Sequence, residues 1–125
     1  FAGGRPLSEV CPPEMSDAFP EEFTVEAGDY CIVKPRFSAF FSTQLDLLLR
    51  RLGVDTVILA GTTTPNCIRT TCYDALSLDY DVVVLSDCTS SVTDAVQAAN
   101  LADMQRVGAA VCASTELTLA ESSTR

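Results

Sequence analysis

Two residues of this chain stand where a side chain can do chemistry. Cys67 closes the stretch Gly61-Thr62-Thr63-Thr64-Pro65-Asn66-Cys67, directly after the apolar run Val57-Ile58-Leu59-Ala60. That order reads as strand, tight turn, helix. In a parallel α/β sheet, ligands bind at the carboxyl ends of strands, where the following helix begins. Gly61 permits a sharp exit from the strand. Pro65 suits the first helical position, and Thr64 is its expected N-cap. Cys67 then falls in the first helical turn, where free N–H groups and the positive end of the helix dipole favour a thiolate. The same amides can hold the oxyanion that forms when sulfur attacks a carbonyl. Lys34, the only lysine, ends the run Cys31-Ile32-Val33, again at the carboxyl end of an expected strand. An ammonium beside a thiol holds it as thiolate and binds developing charge. The plainer readings stand beside these, since cysteines are commonly small buried hydrophobes and lysines solvated surface groups.

The elements that would position these residues follow from the apolar rhythm. Tyr30–Lys34 reads as a strand. Ser42 or Thr43 offers an N-cap, with Asp46 as the capping-box partner of Thr43. Leu45, Leu48, Leu49 and Leu52 then recur at helical spacing, and Gly53 ends that helix. Thr56–Ala60 reads as a strand buried on both faces. Cys67–Leu78 reads as a helix whose apolar face is Ile68, Cys72, Ala75 and Leu76. Asp81–Leu85 is the next buried strand, 92–107 a third helix stopped by Gly108, and Ala109–Cys112 a short last strand. Four strands alternating with three helices predict a parallel α/β sheet with right-handed crossovers. Ahead of them, residues 1–29 hold four of the six prolines and read as an extended loop, with 21–25 as a short strand or turn. Residues 113–125 read as a polar tail, with at most one helical turn. Arg50 and Arg51 read as a solvated helix end, and Asp74 and Asp87 as caps or hydrogen-bond partners. Phe37, Phe40 and Phe41 are core by default, with Phe37 and Phe40 candidates to line a pocket beside the crevice.

Composition narrows the chemistry. The chain has 125 residues, 47% hydrophobic and 20% charged, with a net charge of −9. That composition is globular, and the charge speaks against nucleic acid or an anionic membrane as partner. No apolar run approaches the roughly 18 residues of a membrane span. With no histidine in the sequence, a Ser-His-Asp triad, a Cys-His dyad and a His-ligated zinc are excluded within this chain. No metal or cofactor is called for. The six cysteines, at 11, 31, 67, 72, 88 and 112, form no CxxC pair. Several lie in apolar runs, and Phe1–Pro6 lacks a signal-peptide pattern, so a reduced, cytoplasmic setting is expected.

The ordered set of motifs resembles the isochorismatase-like cysteine hydrolases. The matching pieces begin with Val33-Lys34-Pro35-Arg36-Phe37-Ser38-Ala39-Phe40, with Thr43 and Leu45. Next come Leu49-Arg50 and Leu52-Gly53-Val54-Asp55-Thr56. Then follow Gly61-Thr62-Thr63-Thr64-Pro65-Asn66-Cys67-Ile68-Arg69-Thr70-Thr71 and Tyr73-Asp74-Ala75. The last is Tyr80-Asp81-Val82-Val83-Val84-Leu85-Ser86-Asp87. The Gly-Thr-Thr-Thr form is most similar to the N-carbamoylsarcosine amidase branch. The resemblance implies a three-layer α/β/α fold with a parallel, Rossmann-like sheet, of which this chain supplies about the last four strands. It implies one domain over 1–125, with its α/β core at 30–112.

For the site, the resemblance implies an Asp–Lys–Cys triad with Cys67 as nucleophile and Lys34 as its lysine. It implies a cis peptide at Thr62–Thr63 and an oxyanion hole from the Thr63 and Cys67 amides. Phe37, Phe40 and Asn66 are the expected substrate-pocket residues. The implied reaction is hydrolysis of an amide, carbamoyl or ureido C–N bond in a small molecule, by a dimer or tetramer. The family's aspartate lies on its first strand, and no apolar strand ending in Asp precedes Tyr30. An N-terminal segment or chain outside this sequence is therefore expected to supply it. Without such a partner, a strand at 30–34 would leave its N–H and C=O groups unpaired. The alternatives are a non-catalytic binding or assembly protein on the same fold, and a vinyl-ether-cleaving isochorismatase relative.

Overall fold

The computed structural model describes residues 24–117. They fall into two units, 24–33 and 34–117. In the first, the described residues 24–33 hold one turn, with the Asp29 amide on the Glu26 carbonyl at 3.1 Å and the Glu26 amide on the Asp29 carboxylate at 2.9 Å. Residues 1–23, where part of the expected 21–25 strand or turn falls, lie outside the described residues, as do residues 118–125 of the tail.

The second unit carries three parallel strands in the order β1 (Thr56–Thr62), β2 (Asp81–Ser90), β3 (Ala110–Cys112). Helix α1 (Leu45–Arg51) precedes β1, α2 (Arg69–Ser77) joins β1 to β2, and α3 (Asp94–Arg106) joins β2 to β3. The alternation expected from the sequence is present. The expected strand at Tyr30–Lys34 is not formed. Tyr30 is 65% and Val33 77% exposed. A short apolar run forms a strand only against a neighbour that takes its backbone hydrogen bonds, and among the described residues this run has no ladder partner.

The core lies on β2 and the helices after β1. Val82, Val84, Cys72, Ala75, Met104, Ile68, Tyr80 and Ala109 form one buried cluster. Ile68, Cys72 and Ala75 come from one face of the post-β1 helix, as their spacing predicts. Gly53 and Gly108 end α1 and α3 at φ +70° and +118°, where a side chain would be strained.

Two capping expectations at α1 change, and α3 starts later than expected. At α1, Gln44 holds the N-cap position without a side-chain bond. The Thr43 hydroxyl accepts from the Leu45 amide at 3.2 Å and donates to the Ala39 carbonyl at 2.5 Å. Asp46 turns away from a capping box to Arg50, at 3.0 Å, and to the Tyr80 hydroxyl, at 2.8 Å. Arg50 is tied as well as solvated: it reaches the Leu78 carbonyl at 3.1 Å and lies over the Tyr80 ring. At α3, Thr93 accepts from the Val96 amide at 3.2 Å, so that helix starts two residues later than expected.

β2 continues five residues beyond its expected end at Leu85. The β1–β2 register runs from Thr56↔Asp81 to Leu59↔Val84, then resumes at Gly61↔Thr89 and Thr62↔Ser90. Between these pairings β2 bows out, since the four residues Leu85–Cys88 face the single residue Ala60. The resumed pairing seats Ser90 beside the turn that follows β1.

Candidate active site

The turn after β1 is a π turn over Thr64–Ile68, followed without a break by α2. Thr63 holds the N-cap position in extended conformation, and Pro65 is the second residue of the turn. The sequence places Thr64 as the cap. Instead its side chain is fully buried and its hydroxyl donates to the Ser90 carbonyl at 3.0 Å. That bond pins the start of the turn to β2. The Asn66 and Ile68 amides both donate to the Thr63 carbonyl, at 3.1 and 3.4 Å. The Thr62–Thr63 peptide is cis.

Cys67 lies near the end of this turn and is half-buried. Lys34 is exposed at the start of the loop that leads to α1. The fold brings the two together across 33 residues of chain: Lys34 Nζ lies 3.4 Å from Cys67 Sγ. The same ammonium donates to the Arg36 carbonyl at 2.6 Å. Two donor hydrogens are thus directed, one at the sulfur and one at its own loop. The loop is in turn fastened to α2, where the Thr71 hydroxyl accepts from the Ala39 amide at 3.0 Å. An ammonium at this distance stabilises a thiolate by direct charge-assisted hydrogen bonding.

The remaining expected residues are placed as follows. Thr63 is half-buried, and its hydroxyl accepts from the Asn66 side-chain amide at 3.1 Å. Asn66 is exposed and engaged in holding the turn. Phe40 stacks on Tyr80 with ring centroids 5.8 Å apart, and lines an apolar groove with Leu45, Leu49, Val57 and Leu59. Phe37 is 39% exposed in the loop after Lys34. Asp87 takes the expected hydrogen-bonding role: its carboxylate accepts from the Ser114 amide at 2.8 Å and hydroxyl at 2.6 Å. These bonds, the hydroxyl's first, hold its carboxyl below the usual range. Cys72 is the contrast to Cys67. It is fully buried, and burial pushes its thiol up to about 11.

Sequence reasoning passed over the ties that fix the turn. Thr64, Thr71 and Arg69 all lie inside the quoted motif, but their partners Ser90, Ala39, Asn100 and Asp103 are remote or carry no pattern of their own. Among the described residues, no group of three or more Cys, Asp or Glu side chains is arranged to hold a metal ion.

With this geometry in view, the comparisons with known proteins are specific. Residues 3–116 match the family model described as Isochorismatase domain. The chain belongs to the isochorismatase family. It is 50% identical over 84 residues to a protein of Arabidopsis thaliana named "probable inactive nicotinamidase", covering 66% of this chain and 43% of that one. It is 39% identical over 101 residues to maleamate amidohydrolase of Pseudomonas putida, covering 81% of this chain and 43% of that one. Among solved structures, N-carbamoylsarcosine amidase from Thermoplasma acidophilum superposes with a TM-score of 0.72 at 34% identity, covering 80% of this chain and 57% of that one. The chain thus spans less than half the length of these two sequence relatives. No helix among the described residues is long and apolar enough to cross a membrane.

Proposed function

We propose that this chain carries the nucleophile of a cysteine-dependent hydrolase that cleaves an amide, carbamoyl or ureido C–N bond in a small molecule. The observation that carries the proposal is the 3.4 Å approach of Lys34 Nζ to Cys67 Sγ at the carboxyl ends of β1 and β2. The amidohydrolase names among its relatives support the reaction class.

In this reading the Cys67 sulfur adds to the substrate carbonyl carbon. The carbonyl oxygen takes up negative charge, held by the Thr63 and Cys67 amides and by Lys34. The C–N bond then breaks, and the nitrogen leaves as ammonia or an amine with the proton that came from the thiol. Water attacks the resulting thioester or thiocarbamate, the S–C bond breaks, and the thiol is restored. A carboxylate must carry the proton between sulfur and nitrogen. It comes from an N-terminal segment or chain outside this sequence, on a strand that pairs with the outer edge of β1. Among the described residues that edge has no ladder partner, and its apolar Ile58 is 42% exposed, which supports the placement. Phe37 and Asn66 flank the substrate. The working assembly is a homo-oligomer in the cytoplasm.

The test is ammonia release from a panel of primary amides and ureido acids, by the chain together with the polypeptide that supplies the carboxylate. Turnover that vanishes in Cys67→Ser establishes the reading. Turnover that persists in Cys67→Ser refutes it.

A second reading is favoured by the Arabidopsis relative's name: a non-catalytic member of the same fold. It predicts no turnover from the panel, and a Cys67 that alkylates no faster than the exposed Cys31.

A further inference from the structure

We infer that Arg69 is a positioning residue for Cys67, acting by clamping the π turn and α2 to α3. The inference rests on the reading of Cys67 as nucleophile. Arg69 is the first residue of α2, two positions after Cys67. Its guanidinium meets three groups at once. Nη1 donates to the Asn100 Oδ1 at 3.1 Å, and Nη2 pairs with Asp103 Oδ2 at 2.6 Å. The guanidinium carbon lies 5.4 Å from the centroid of the Tyr73 ring.

Each of these partners is itself held. Asn100 is 8% exposed and its Nδ2 donates to the Val96 carbonyl at 2.9 Å, which leaves Oδ1 aimed at Arg69. Asp103 also accepts from the Tyr73 hydroxyl at 2.9 Å and pairs with Arg106. A planar fork satisfying two acceptors while lying over an aromatic face fixes both distance and rotation. A lysine in its place has a point charge and cannot reproduce that.

The site needs this restraint. The π turn has no side-chain cap at either of its junctions. Its start is pinned by Thr64 to Ser90, and Arg69 is the corresponding tie at its end. The Lys34 loop hangs on the same helix through Thr71. The start of the turn stays with β2 through Thr64 while its end moves with α2, so a tilt of α2 against α3 would twist the turn between the two anchors and shift the sulfur relative to the ammonium. The Arg69–Asp103 pair is part-exposed, at 40% and 18%. Its contribution to overall stability is accordingly small, which separates positioning from mere structure.

The experiment is iodoacetamide alkylation of the full chain across neutral pH, with modified peptides resolved by mass spectrometry. Arg69→Met is expected to slow Cys67 by roughly tenfold at neutral pH and to move its rate profile upward in pH, with circular dichroism unchanged. Arg69→Lys is expected to fail to rescue. Arg106→Met, which removes only a flanking charge from Asp103, is expected to stay within roughly twofold. Should Arg69→Met prove poorly folded, Arg69→Lys and Asp103→Asn carry the same comparison. A folded Arg69→Met or Arg69→Lys with an unchanged Cys67 profile overturns the inference. The wild-type rate of Cys67 against exposed Cys31 tests the nucleophile reading separately, because the variant-to-wild-type ratio reads the clamp whatever that rate is.

Discussion

Lys34 and Cys67, which meet at 3.4 Å, are held by opposite kinds of structure. Cys67 sits on a turn that is bonded at both ends, backed by the buried Thr64 and Ile68 and by a core that continues into β2 and α3. Lys34 sits on an exposed loop whose expected strand is not formed, anchored by the Ala39–Thr71 bond and by the ammonium's own contacts. The sheet shows the same division. Central β2 buries Val82, Val84 and Leu85, whereas β1, equally apolar in sequence, stands at the edge of the sheet among the described residues, with Ile58 exposed. The lesson is that an apolar run is an offer of burial that only a neighbour completes. On the β2 side the neighbours are present and Cys67 is fixed. On the β1 side no strand among the described residues pairs with the backbone edge.

The largest effect that would break this comparison is loss of the Cys67 thiol. Cys67→Ser is expected to lower amide turnover by at least roughly 10³-fold, measured as ammonia release. Cys72→Ser, a change at a buried thiol pushed up to about 11, should leave turnover intact wherever the fold survives. Lys34→Met comes next. Removing the charge at the sulfur should cost roughly 10²-fold in turnover and slow Cys67 alkylation near neutral pH. An unchanged alkylation rate would mean that the Lys34–Cys67 contact has no chemical consequence.

Stability sharpens the comparison from the other side. Met104→Ala, at a fully buried core position, should destabilise the chain by about 2–5 kcal/mol in denaturant unfolding. Ile58→Ala, on the open edge, should cost under about 1 kcal/mol in the same assay. Equal costs would show that the β1 side is closed in solution.

The smallest expected effect is on pH dependence. Asp46, Asp87 and Asp103 are all held below the usual carboxylate range by hydrogen bonds, chiefly from Tyr80, Ser114 and Tyr73 respectively. A depressed folded value means the stabilisation is complete above the unfolded carboxylate value of about 4 and drains away as pH falls through the folded values. The melting temperature should therefore drop below about pH 4, and Asp103→Asn should flatten part of that drop.

Much of the fold was legible in the residues themselves. The spacing of Ile68, Cys72 and Ala75 marked the buried face of α2, and Gly53 and Gly108 marked two helix ends. The Gly61–Cys67 stretch marked the turn between β1 and α2, because a glycine exit and a proline at the second position of the turn are local backbone preferences. Boundaries were less legible. β2 ran past Leu85 because its far end pairs with Gly61 and Thr62, a partnership invisible in β2's own sequence. Thr64 looked like a cap by position, yet Ser90 drew its hydroxyl inward.

The sequence by itself determined the chemical vocabulary of this protein. It offers one lysine, no histidine and a cysteine at a strand-to-helix turn, because side-chain chemistry and local backbone preference are properties of short segments. Only the tertiary structure decided that Lys34 reaches Cys67 while Tyr30–Val33 finds no sheet, and that Arg69 locks onto α3. Those outcomes depend on which distant groups complete a hydrogen bond or cover an apolar face, and spacing along one chain carries no such information.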